Sequence, residues 1–163
     1  MHRNRLIALV GVIIGIIGLS LEGLTTEGEA LLPTLNAANP AFPDGIPTIW
    51  GGLASWAQPV LVVLILAVVV FAVRPDRAKA MDRTSSMVVS VIGVALLAYA
   101  VIKMLDAGDS AEGLQAAFAQ AASAGAIPAA VTVTTGFGFL ILIVGTVLVI
   151  FGGAMGFISS DDD

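Results

Sequence analysis

VTVTTGFGFLILIVGTVLVIFGGAMGF, residues 131–157, contains no charged residue. About 20 apolar residues in a helix span the roughly 30 Å hydrocarbon core of a bilayer. In lipid every backbone N–H and C=O must be paired within its own segment, which makes a helix the natural solution. Three further apolar runs, residues 6–21, 53–73 and 87–105, read the same way. The expectation is an all-α polytopic membrane protein with four transmembrane helices in one domain, residues 1–163. Composition agrees. Hydrophobic residues make up 58% of the chain and charged residues 12%, about half the roughly 25% usual in soluble domains.

Charge sets an expected orientation. All but one of the seven Lys and Arg residues flank the inner ends of the runs. Arg3 and Arg5 precede the first, and Arg74, Arg77, Lys79 and Arg83 link the second and third. Basic residues favour the cytoplasmic side of short loops. Both termini and the basic link are therefore expected inside (cytoplasm or virion interior), and two longer loops outside. The outer loops are acidic, with Glu22, Glu27, Glu29 and Asp44 in one and Asp106, Asp109 and Glu112 in the other. The basic start followed by an apolar stretch resembles a secretion signal, but no small-x-small cleavage site follows. It reads as a retained first helix.

The chain also reads as a possible internal repeat, residues 6–73 and 87–157, forming two similar helical hairpins. Val10-Gly11-Val12 corresponds to Ile92-Gly93-Val94, Glu27-Gly28 to Glu112-Gly113, and Gly45-Ile46-Pro47 to Ala126-Ile127-Pro128. Each outer loop is expected to hold a short amphipathic helix. Thr25-Thr26-Glu27 is a helix-start signal in the first. In the other, Asp109-Ser110 can cap residues 111–123, with Leu114, Ala117, Phe118 and Ala121 on one face. The bland alternative is a third helix that simply continues into solvent.

Small residues let membrane helices approach closely. Gly11, Gly15 and Gly18 lie at helical spacing in the first run, and Gly145, Gly152 and Gly156 in the last. These six are the candidate helix-packing or partner interface. Trp50, Trp56 and Lys103 are the candidate membrane-interface anchors, because amphipathic side chains prefer the boundary between lipid and water.

Candidate catalytic, cofactor-binding and metal residues: none. The chain has no cysteine and one histidine, His2. Disulfides, thiolate chemistry and His-ligated haem pairs are thereby excluded. The apolar runs carry no charge at their middles, where a pump or proton relay would need one.

The four-span plan with acidic outer loops and the inner stretch Arg74-Pro75-Asp76-Arg77-Ala78-Lys79 resembles two families. One is the small membrane proteins of haloarchaeal virus envelopes. The other is the accessory subunits of actinobacterial respiratory supercomplexes. Either resemblance implies a non-enzymatic structural or accessory protein of a larger membrane assembly or envelope. Its partners would be the lipid bilayer and other membrane subunits or further copies, with no nucleic acid and no cofactor. The competing class is a small channel, exporter or lipid transporter.

Overall fold

The computed structural model describes residues 1–73 and 79–159. The described residues are mostly helical (69%), with five helices and a small two-stranded sheet. In order these are α1 (Arg3–Leu19), β1 (Leu24–Thr26), a 3-10 turn (Glu29–Leu31), α2 (Leu32–Ala38), α3 (Ala57–Val73), α4 (Arg83–Ser123), β2 (Val133–Thr135) and α5 (Gly138–Ser159).

Among the described residues two helices, not four, are long and apolar enough to cross a membrane: α4, and α5 through Phe157. The expectation of four transmembrane helices fails on helix length. Both α1 and α3 have 17 residues, or about 25 Å at 1.5 Å per residue. The first three positions of α1 are the polar Arg3, Asn4 and Arg5. The apolar run at 53–73 begins in a turn, and α3 starts only at Ala57, with Pro59 in its first turn. Proline is tolerated there because the missing N–H has no helical partner anyway.

The acidic outer segment differs too. Residues 111–123 are not a separate surface helix; they continue α4, which runs unbroken for 41 residues. Gly108, Asp109 and Ser110 do not stop it. The Ser110 hydroxyl donates to the Asp106 carbonyl at 2.9 Å, one turn back. At its start, Asp82 caps α4 by accepting the Ser85 N–H at 3.3 Å, which satisfies one of the orphan donors of the first turn.

Three buried clusters stack along the molecule. An inner one joins Ala8, Val12, Val68, Met81, Val89 and Val149. A middle one includes Leu19, Leu53, Leu61, Leu96 and Leu142. The third, beyond the main helix pack, gathers Leu32, Leu35, Phe42, Phe118, Ile127 and Val133. The sheet closes this outer layer. β1 pairs antiparallel with β2, Leu24 opposite Thr135 and Thr26 opposite Val133. The two halves of the chain therefore differ in element content: β1 follows the first helix of its half, whereas β2 precedes the last helix of the other. The matched hairpins expected from sequence are not seen. Of the basic link, Arg74 and Arg77 lie outside the described residues, as do the C-terminal Asp161, Asp162 and Asp163.

Phe118 is fully buried, and its ring packs at 5.9 Å from that of Phe42. Phe118→Ala should cost roughly 3–5 kcal/mol. It should raise amide exchange in β1, β2 and α2 selectively, leaving the α1–α5 contact protected.

Candidate functional site: the glycine seam and the chamber beside it

α5 is the helix around which the others are arranged. It touches α1 on one side and α4 on another, while α3 touches α1 and α4. α1 and α5 run antiparallel in one register: Gly18 faces Gly138 and Leu142, Gly11 faces Gly145 and Val149, and Ala8 faces Gly152. A methyl group on Gly11 would lie 2.6 Å from the Gly145 carbonyl oxygen, and one on Gly18 would lie 2.6 Å from the Leu142 nitrogen. On Gly145 it would overlap the Gly15 nitrogen, and on Gly152 it would lie 2.6 Å from the Ala8 nitrogen. Real side-chain carbons do not come this close to backbone, so the two helices meet main chain against main chain.

Five of the six glycines singled out in the sequence thus lie along this seam inside one chain, and the sixth, Gly156, faces Ser86 of α4. Gly15 is the exception in detail. A methyl group there meets only Leu142 Cδ1, at 3.9 Å. The α4 face of α5 uses small residues of a second kind. Ser86, Ser90 and Gly93 line up on α4, with Ser86 and Ser90 against Gly156 and Gly153, and Gly93 against Ile150. Serine at this spacing is as small as the ridge requires, and that signal was present in the sequence.

Polar groups gather at the inner end of the seam. Asn4 is fully buried, and its side-chain oxygen accepts from the Arg5 N–H at 2.8 Å. Arg5, 4% exposed, is surrounded by main-chain carbonyls. Its Nε donates to Lys79 at 2.9 Å, Nη1 to Ala72 at 3.2 Å and Phe71 at 3.4 Å, and Nη2 to Ala80 at 3.2 Å. Phe71 and Ala72 belong to the last turn of α3, whose carbonyls have no helical donor and carry the negative end of the helix dipole. In the sequence Arg5 stands out only as a topological charge. Its buried role left no pattern, because the acceptors are backbone atoms.

The three anchor candidates have separate places. Trp56 is 65% exposed. Trp50 packs partly into the middle cluster, and its N–H donates to the Leu19 carbonyl at 2.9 Å. Lys103 pairs with Asp106, Nζ to Oδ2 at 2.7 Å, near the outer part of α4. The pair is solvent-accessible and so contributes little to stability.

Lys103 also stands at the boundary of two cavities. One is a narrow, apolar chamber of about 40 Å³ between α1, α3, α4 and α5, whose walls include Gly11, Gly15, Leu61, Leu96, Leu142 and Val149. The other is a wider vestibule of about 280 Å³, lined in part by Thr48, Asp106 and Ser110. Ile49, Leu53 and Lys103 are common to both. Tyr99, one turn before Lys103 on α4, lines the chamber. Its hydroxyl is buried and has no hydrogen-bond partner among the described residues.

Among the described residues no group of three or more His, Asp or Glu side chains is placed to hold a metal ion. No protein-family model, curated protein or solved structure matches this chain.

Two contrasts test the seam. Gly145→Ala should lower the thermal unfolding temperature in nanodiscs, whereas Gly113→Ala, on an α4 turn with open space around it, should leave it unchanged or raise it, by up to about 1 kcal/mol of helix propensity. Arg5→Met should destabilise by roughly 1.5–3 kcal/mol, the range for a hydrogen bond to a charged group, with faster amide exchange confined to the end of α3. Arg5→Lys should rescue only in part, since one ammonium cannot span four carbonyls.

Proposed function

We propose that this protein is a non-enzymatic structural or accessory component of a larger membrane assembly or envelope, held in the bilayer through its helices, with α4 and α5 crossing it and α1 and α3 packed alongside. The observation that carries the reading is where the apolar surface lies. Val63, Leu66, Val91, Val94, Leu105, Val144 and Phe151 are all exposed, whereas Asn4, Arg5, Ser85 and Ser86 are buried. Only 22% of the most apolar window of α4, and 44% of that of α5, is covered inside the molecule. A helix at the core of a soluble domain is covered. Exposed apolar area on this scale marks contact with lipid or with partner subunits.

The seam glycines are spent on contacts within the chain, so the surface left for partners is the outer layer and the exposed helix faces. The starts of α1 and α4 and the end of α5 lie together, since Asn4, Ser86 and Gly156 are neighbours. That end carries Arg3, Arg5, Lys79 and Arg83, and the positive-inside tendency assigns it to the cytoplasm or virion interior. A small channel, exporter or lipid transporter is the competing reading, and the chamber between the helices is the feature in its favour.

Isolation of the native protein in nanodiscs, with mass spectrometry of what accompanies it, tests the accessory role. A defined membrane partner at fixed stoichiometry is expected. A protein recovered alone, and active in a flux assay, would contradict the reading. Orientation is tested with single cysteines in this cysteine-free chain. Ser123→Cys should react with an impermeant maleimide on intact cells, and Arg83→Cys only after lysis.

A further inference from the structure

We infer that the chamber between α1, α3, α4 and α5 is a binding site for one small apolar molecule of the dissolved-gas class, dioxygen being the natural example, and that Gly15 keeps it open. Size is the first argument. The chamber has a volume of about 40 Å³. On the same measure one water needs roughly 10–15 Å³, so there is room for about two or three heavy atoms. A ring or an alkyl chain does not fit.

The lining is the second argument. Leu61, Leu96, Leu142 and Val149 give it carbon walls. Thr146 also lines the chamber, but its hydroxyl donates to the Ile143 carbonyl of its own helix at 2.8 Å. Lys103, at the outer boundary, is held by Asp106. A buried water makes about three hydrogen bonds to protein. The Tyr99 hydroxyl would supply one partner at most, and Tyr99 also lines a lateral pocket with Trp56 and Leu64. Water is therefore poorly held here. An apolar guest loses nothing by the lack of donors and gains dispersion contacts with walls that otherwise face empty space.

Gly15 gives the third argument. It is buried, and its backbone belongs to the seam, since a methyl group on Gly145 would lie 2.7 Å from the Gly15 α-carbon. Its own side-chain position is different. A methyl group there would have Leu142 Cδ1, at 3.9 Å, as its nearest neighbour, whereas on Gly11 or Gly18 it would lie 2.6 Å from the backbone of α5. An empty side-chain position at a buried residue is a void, and Gly15 and Leu142 both line the chamber. Helix contact alone would accept alanine at residue 15. The open chamber requires glycine. Its outer end adjoins the vestibule at Ile49, Leu53 and Lys103, which gives a small solute a way in. This site goes beyond the accessory role and does not depend on which partner the protein has.

Xenon, a single apolar atom, is the probe. The full chain in nanodiscs, with labelled Leu and Val methyl groups, is titrated with xenon and followed by NMR, for wild type, Gly15→Ala and the open-surface control Gly113→Ala. In wild type the Leu96, Leu142 and Val149 methyl signals should shift along one saturating curve. Val63 and Leu66, which are exposed, should follow xenon linearly, as a dissolved solute dictates. Gly15→Ala should reduce the saturable shifts at least fivefold while keeping or raising the thermal unfolding temperature, and Gly113→Ala should leave the shifts unchanged. Linear behaviour of the chamber methyls overturns the proposal. So do saturable shifts that survive Gly15→Ala. A lower unfolding temperature in Gly15→Ala also overturns it, because the methyl group then has no void to enter.

Discussion

The main-chain contact between α1 and α5 governs the rest of the molecule. Gly11, Gly18, Gly145 and Gly152 remove the side chains that would hold the two helices apart. In lipid, helices gain little from burying apolar surface against each other, and close packing takes over that role. Once α1 is seated, Arg5 reaches the end of α3 and holds its last carbonyls. Once α5 is seated, Gly153 and Gly156 receive Ser90 and Ser86, which sets the place of α4. A helix that contributes no glycine to this seam, α3, is tied by its ends and by apolar contact. The chamber forms on that side, between α3 and the closely packed helices.

The outer layer depends on a different constraint. Its segments leave the helix pack with unpaired backbone groups, and these must be satisfied. The β1–β2 pair does so for residues far apart in sequence, and the Gly136 N–H donates to the Gly23 carbonyl at 2.9 Å. A side chain on Gly136 would overlap the Glu22 carbonyl oxygen. The layer is thus a small core built on the far half of α4, with Phe118 at its centre. It offers a shaped, acidic surface beyond the helices.

Parts of this were legible in the sequence and parts were not, for physical reasons. Apolar runs and glycine spacing are local patterns, so the helical regions and the seam glycines could be read directly. Helix ends were read less well. The run at 53–73 is apolar apart from Ser55 and Gln58, and its first residues turn, because the Trp50 and Ile49 backbone N–H groups donate to Leu19 and Leu21 across the chain. Asp109-Ser110 reads as the start of a separate helix, with continuation of the preceding one as the alternative; continuation is what forms, since Gly108 costs only about 1 kcal/mol in a helix and tertiary contacts on Ala111 and Phe118 carry α4 through. The sheet was missed although Leu24-Thr25-Thr26 and Val133-Thr134-Thr135 are rich in β-branched residues. Pairing between such distant segments has no local signature. Arg5 and the chamber were invisible because their chemistry lies in backbone carbonyls and in the space between helices.

The most direct test of the central claim is disulfide formation within the chain between Val12→Cys and Val149→Cys, in membranes under mild oxidation. Val12 and Val149 share one buried cluster on the α1–α5 contact. The account predicts rapid, intramolecular crosslinking of this pair and none between Val12→Cys and Val144→Cys, since Val144 is exposed on the outer face of α5. Absence of the 12–149 crosslink, or equal crosslinking of both pairs, would contradict an antiparallel glycine seam as the basis of the structure.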